Sequence, residues 1–169
     1  MSEMHPRSLV AGLALGVAIA TAAGLGDVVR TANAQTAAAP GRQVVRPEKF
    51  PATGLPYSPG ILINDTLYLS GQLGRDPATA KLVAGGIEAE TRQALANLGE
   101  VLKAAGMDFG DVVCVSAFIT SFDDFPKFNE VYREYFPADP PARATVQVAG
   151  LNLGARVEIQ MIAAKPRSR

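Results

Sequence analysis

Two residues near the C-terminal end of the chain are of types that do chemistry, and both lie in strand-like surroundings. Arg143 follows Pro140, Pro141 and Ala142 in "PPARATVQVAG", and Glu158 comes fifteen residues later in "VEIQMIAA". The prolines hold the approach extended, so the guanidinium is carried at the mouth of a strand. There it can grip a carboxylate through two parallel hydrogen bonds, although spacing alone fits an ordinary surface or interface salt bridge more often. Glu158 alternates with Val157 and Ile159 and therefore points to the opposite face, together with Gln160. On a solvated face it is a polar outer residue; in a cleft or at a subunit interface it can take part in proton transfer. Asn129, in an aromatic-rich stretch, and Tyr57, in "GLPYSPG", complete the polar short list, and such residues more often serve structure than ligands.

Other chemistries lack their residues. His5 is the only histidine and Cys114 the only cysteine, so no internal disulfide forms and no cluster of His, Cys and carboxylates suggests a metal. Cys114 itself, in "DVVCVSAFI", reads as a small core hydrophobe. Sixteen basic and sixteen acidic residues cancel, without a Lys/Arg run, so neither nucleic acid nor an anionic membrane surface is announced. The glycines of "SGQLGRD" and "VAGGIEAE" match no phosphate-cradling spacing, so nucleotide binding has no support.

The elements that must position Arg143 and Glu158 follow from periodicity. "ILINDTLYLSGQ" holds two apolar runs around Asn64-Asp65, the chemistry of a tight turn, and predicts a hairpin over residues 61–70. Ile87, Thr91, Ala94, Leu95, Leu98, Leu102 and Ala105 recur at helical spacing over residues 86–106, which Gly106 ends. The run around Cys114 is apolar on both sides, so a strand covered on both faces is expected. Ser121 can cap a second helix whose inner stripe is Phe128, Val131, Tyr132 and Tyr135. Two last strands, "RATVQVA" and "ARVEIQMIAA", alternate with period two, and residues 150–154 read as a hairpin loop between them. The order predicts an α+β two-layer sandwich: a mixed sheet with two helices on one face, the other face covered by self-association.

The chain begins differently. "MSEMHPR" carries positive charge, residues 8–26 are apolar or small, and "TANAQ" offers an Ala-x-Ala site after Ala34. Residues 1–34 thus read as a signal peptide, which places the mature chain in a periplasm or outside the cell, without stable membrane association after cleavage. The run of about 19 residues is also near the length of a membrane span, so an uncleaved N-terminal anchor is the alternative. Residues 35–43 suit a flexible lead-in, residues 44–165 a single domain, and residues 166–169 a tail.

Three blocks, "LPYSPGILINDTLYLSGQLG", "DFPKFNEVYREYFP" and "PPARATVQVAGLNLGARVEIQMIAA", together resemble the RidA (YjgF/L-PSP) family over about residues 44–165. The resemblance implies a chorismate-mutase-like homotrimer with ligand clefts between subunits. It also implies hydrolysis of reactive imines and enamines of amino acids to 2-keto acids and ammonia, without cofactor or metal. Arg143 would then bind the substrate carboxylate and Glu158 would position or activate water; Tyr57, Ser70 and Asn129 would line the cleft, with Gly71 and Thr145 offering backbone groups. Leu55, Thr145 and Gln160 stand where many members have glycine, cysteine and a second glutamate. A non-catalytic binder of carboxylate metabolites, or a holdase-like trimer, is the alternative. The endoribonuclease label attached to the family fits poorly, because the chain has no basic stripe and few aromatics to stack bases.

Overall fold

The computed structural model describes residues 41–48, 50 and 54–165. All belong to the unit that spans Ala38–Arg169. The expected signal peptide, most of the lead-in and the tail lie outside the described residues. Among the described residues six strands and two α-helices follow in order: β1 (Arg42–Val45), β2 (Gly60–Ile63), β3 (Thr66–Leu73), α1 (Gly86–Ala104), β4 (Val112–Ile119), α2 (Phe125–Tyr135), β5 (Ala142–Gln147) and β6 (Val157–Ala164). β1 takes in Arg42 and Gln43, two residues earlier than the domain start read from sequence.

The strands form one mixed sheet in the order β1-β2-β3-β6-β4-β5. The predicted hairpin joins β2 to β3 with Ile63 opposite Thr66, and Asn64 takes the left-handed conformation that its short polar side chain tolerates. α1 lays Ile87, Thr91, Ala94, Leu95, Leu98 and Leu102 inward, as their spacing requires, and adds Val101. Ser121 accepts a hydrogen bond from the Asp123 amide at 3.1 Å and opens a 3-10 turn that runs into α2, which buries Phe128, Val131 and Tyr132. These helix faces meet Leu67, Leu69, Val115, Ala117, Ile119, Val157, Ile159 and Met161 of the sheet in one apolar core.

The last two strands do not form the hairpin that their sequence suggests. β4 lies between them: β5 runs parallel to β4, with Cys114 opposite Ala142 and Ile119 opposite Gln147, while β6 is antiparallel to both β3 and β4. α2 carries the chain back along the sheet, and a strand that returns this way pairs parallel to the one it left. Residues 148–156 then cross to β6 through a 3-10 turn at Asn152–Gly154, instead of closing a tight loop.

β4 is also not covered on both faces within the protomer. Val115, Ala117 and Ile119 are buried under the helices, whereas Cys114, Ser116 and Phe118 are half-buried on the far side. On that same far face Val44, Ile63, Tyr68 and Val146 are 43%, 41%, 48% and 45% exposed. An apolar face of this breadth on a folded domain is the mark of an association surface.

Where β3 leaves the sheet, Gly74 presses on α1. A Cβ there would overlap Glu90 Cα and stand 2.6 Å from the Glu90 carbonyl oxygen. Both neighbours are backbone and neither can swing aside, so Gly74→Ala should cost about 3 kcal/mol, a fall of roughly 10 °C in Tm by calorimetry. An unchanged Tm would show that α1 can move off the sheet.

Candidate functional site

Glu158 stands on β6, opposite Leu73 of β3 and Phe118 of β4, and so on the face turned away from the helices. Just before Leu73 the β3–β6 register slips between Leu69 and Gln72, an irregularity that leaves Ser70 and Gly71 outside the regular ladder. The Gly71 backbone lies against the Glu158 side chain: a Cβ there would overlap Oε1 and stand 2.9 Å from Cδ and 3.1 Å from Cγ. Glycine at residue 71 is thus what gives the carboxylate its place. Ser70 Oγ donates to the Ser58 carbonyl at 2.6 Å and ties the segment bearing Tyr57 to β3. Tyr57, Ser70, Gly71 and Glu158 share a cleft of about 400 Å³, joined by Leu55, Arg75, Asn152 and Gln160.

Arg143 is elsewhere. It pairs in register with Val115 of β4, and its side chain turns to the helix-covered face. Its guanidinium stacks on α2, with Cζ 4.4 Å from the Tyr132 ring centroid and 5.2 Å and 5.8 Å from those of Phe128 and Phe125. Such contacts hold a cation while leaving its N–H edge free. One edge is fixed, because Nη2 donates to Asn129 Oδ1 at 2.7 Å. The cleft beside it, about 460 Å³, is lined by Asn129, Tyr132, Arg133, Phe136, Pro140 and Pro141.

No carboxylate pairs with Arg143 among the described residues, so the salt bridge that spacing alone favours is not formed among them. Thr145 lies two residues further along β5 on the same face. Its Oγ1 and the Tyr132 hydroxyl are buried side-chain oxygens without a hydrogen-bond partner among the described residues. Burial pushes the Tyr132 phenol up to about 12, and the Arg143 charge works against that rise, so the ring under the guanidinium is neutral at ordinary pH.

The seven residues singled out from sequence therefore fall into two groups. Arg143 and Asn129 are in contact, with Thr145 beside them on β5; Tyr57, Ser70, Gly71 and Glu158 line the other cleft. The two groups leave opposite faces of one sheet. Sequence reasoning missed Arg75 and Asn152 in the Glu158 cleft, and the three-ring platform of Arg143. The platform had a signal in the helical spacing of Phe125, Phe128 and Tyr132, which also serves the core. Among the described residues no group of His, Cys, Asp and Glu could hold a metal ion.

Residues 47–165 match the model of the family described as Endoribonuclease L-PSP. The chain belongs to this family, the RidA/YjgF family. Its sheet and helices are those of the chorismate-mutase-like fold of L-PSP/YjgF proteins. A 2-iminobutanoate/2-iminopropanoate deaminase of Bos taurus is 49% identical over 122 residues, which cover 72% of this chain and 89% of that protein. The crystal structure of RidA from the Antarctic bacterium Psychrobacter superposes with a TM-score of 0.69 at 38% identity, covering 73% of this chain and 99% of the other. Escherichia coli TdcF, solved with bound serine, gives a TM-score of 0.70 at 31% identity, covering 73% and 99%.

Proposed function

We propose that the chain hydrolyses reactive 2-imino and enamino acids to 2-keto acids and ammonia, at a site to which one copy brings Arg143 and the next brings Glu158. The observation that carries this reading is the guanidinium of Arg143, without a carboxylate partner among the described residues, clamped between Asn129 and three rings and opening on a cleft. A cation held that way suits the carboxylate of a small acid, whose two oxygens match its remaining N–H groups. Relatives named for imine deamination, at 49% identity, and one solved with an amino acid bound support the same substrate class.

The chemistry asks little more. The carbon of a protonated imine is already electrophilic, so the site must hold the carboxylate, place a water and move a proton. Glu158 accepts a proton from the water as its oxygen bonds to that carbon. Glu158 then passes that proton to the nitrogen, and the carbinolamine loses ammonia as the same carboxylate takes the hydroxyl proton, which leaves the keto acid. No step calls on a histidine. Cleavage of RNA has no comparable footing, since net charge is zero and neither cleft is lined by a run of cations.

Because the two groups leave opposite sheet faces, one protomer does not unite them. Self-association does, and a homotrimer that covers the apolar far face is the assembly we propose. The mature chain would act beyond a membrane after loss of residues 1–34, on imines such as those released by amino-acid oxidation. Arg143→Ala and Glu158→Gln chains should each be nearly inactive alone, the second through turnover more than substrate binding. Refolded together in equal amounts, they should regain about a quarter of wild-type activity, because random mixing gives one interface in four both groups intact. A mixture as inactive as its components would show that both residues of a site come from one chain.

A further inference from the structure

We propose that Arg75 makes the Glu158 cleft a seat for a second anion, so that the preferred substrates are imino acids with a carboxylate on the side chain. The inference rests on the deaminase reading for the reaction, but its observations are separate. Arg75 lines the same cleft as Glu158, Gln160 and Asn152. It forms no ion pair among the described residues, neither with Glu158 nor with any other acid. Its Nε donates to the Ala80 carbonyl at 2.8 Å, which fixes the side chain at one nitrogen and leaves both Nη groups without a protein acceptor among the described residues.

The loop that carries it is braced. Asn97 Nδ2, from α1, donates to the carbonyls of Leu73 at 3.2 Å and Arg75 at 2.9 Å. Ala80, the acceptor for the guanidinium, is held in turn: its amide donates to the Asp76 carbonyl at 2.8 Å, and Asp76 Oδ1 takes the amides of Ala78 and Thr79. A long side chain on a mobile loop would lose much entropy on binding; this one is largely ordered beforehand.

The balance of charge in the cleft then decides what enters. Glu158 alone would repel a second carboxylate, whereas Arg75 supplies an opposing cation, and the Gln160 and Asn152 amides add neutral donors. With the α-carboxylate held by Arg143 of the next copy, the group facing Arg75 is the substrate side chain. For an imine of aspartate the reaction is 2-iminosuccinate plus water giving oxaloacetate and ammonia.

The test uses the full-length chain and imines made in situ from aspartate and from alanine by amino-acid oxidases, read as keto acid formed above the spontaneous rate. The wild type should favour the aspartate-derived imine about tenfold or more in kcat/KM, the range of one charge-assisted hydrogen-bond pair. That ratio should collapse in Arg75→Gln and return in part in Arg75→Lys. If alanine imine is hydrolysed and the ratio is the same in wild type and Arg75→Gln, the anion seat is overturned while the deaminase reading stands. If neither imine is hydrolysed, the deaminase reading falls. Calorimetry with succinate and propionate then decides the seat alone: tighter succinate binding that Arg75→Gln weakens about tenfold upholds it, and equal binding removes it.

Discussion

Arg143→Ala should lower kcat/KM for imine hydrolysis by about 1000-fold, close to 4 kcal/mol of transition-state stabilisation, with the assembly intact by sedimentation. The size follows from what is lost. In the proposed site Arg143 would be a charge-assisted donor to the substrate carboxylate, and would also orient the imine carbon towards the water. Its own geometry is set by the 2.7 Å bond to Asn129 and by stacking on Phe125, Phe128 and Tyr132. Lysine cannot reproduce a planar fork on an aromatic platform, so Arg143→Lys should recover only a small part of the activity. Asn129→Ala, which frees one edge of the guanidinium, should fall between the two. If Arg143→Ala turned over alanine-derived imine at the wild-type rate, Arg143 would not be the anchor, and the proposed site would lose its main support.

Gly71→Ala should remove about 100-fold in kcat while leaving Tm within about 1 °C, in the range of what a general base contributes. The added methyl would overlap the end of the Glu158 side chain, which can rotate away, so the fold survives and the carboxylate leaves its place. Gly74, three residues on, predicts the converse, because its neighbours are the backbone of α1. The pair separates the two demands on one short stretch of chain: one glycine makes room for the proposed catalytic carboxylate, the other for a helix. Equal losses of stability in both variants would mean that Glu158 is packed rigidly, and that the activity loss reports folding.

What could be read in advance was local. Asn64-Asp65 announced its turn because two residues suffice to specify it, and α1 announced its buried face because a period of 3.6 is written into its own residues. The alternation around Glu158 gave the side of the sheet to which it points. The pairing of β5 was not legible, since the strand that claims it is β4, reached through α2, and nothing in the β5 sequence names that neighbour. Arg75 was hidden for another reason. It lies in a loop without periodicity, and it takes tertiary bonds such as those from Asn97 and to Ala80 to show that the loop is held. Arg143 looked like an ordinary surface cation until the absence of a carboxylate partner among the described residues became visible.

If Arg143 and Glu158 serve one site as proposed, their placement on opposite faces of a single sheet ties activity to mass action. A lone protomer, working as proposed, holds two half-sites and no whole one, so chemical competence appears only when chains meet. Specific activity would then climb with protein concentration and fade on dilution below the assembly constant, and a newly made chain would stay silent while it travelled alone. Substitutions on the exposed Val44, Ile63, Tyr68 and Val146, none of which contacts substrate in this scheme, would shift the concentration at which catalysis begins.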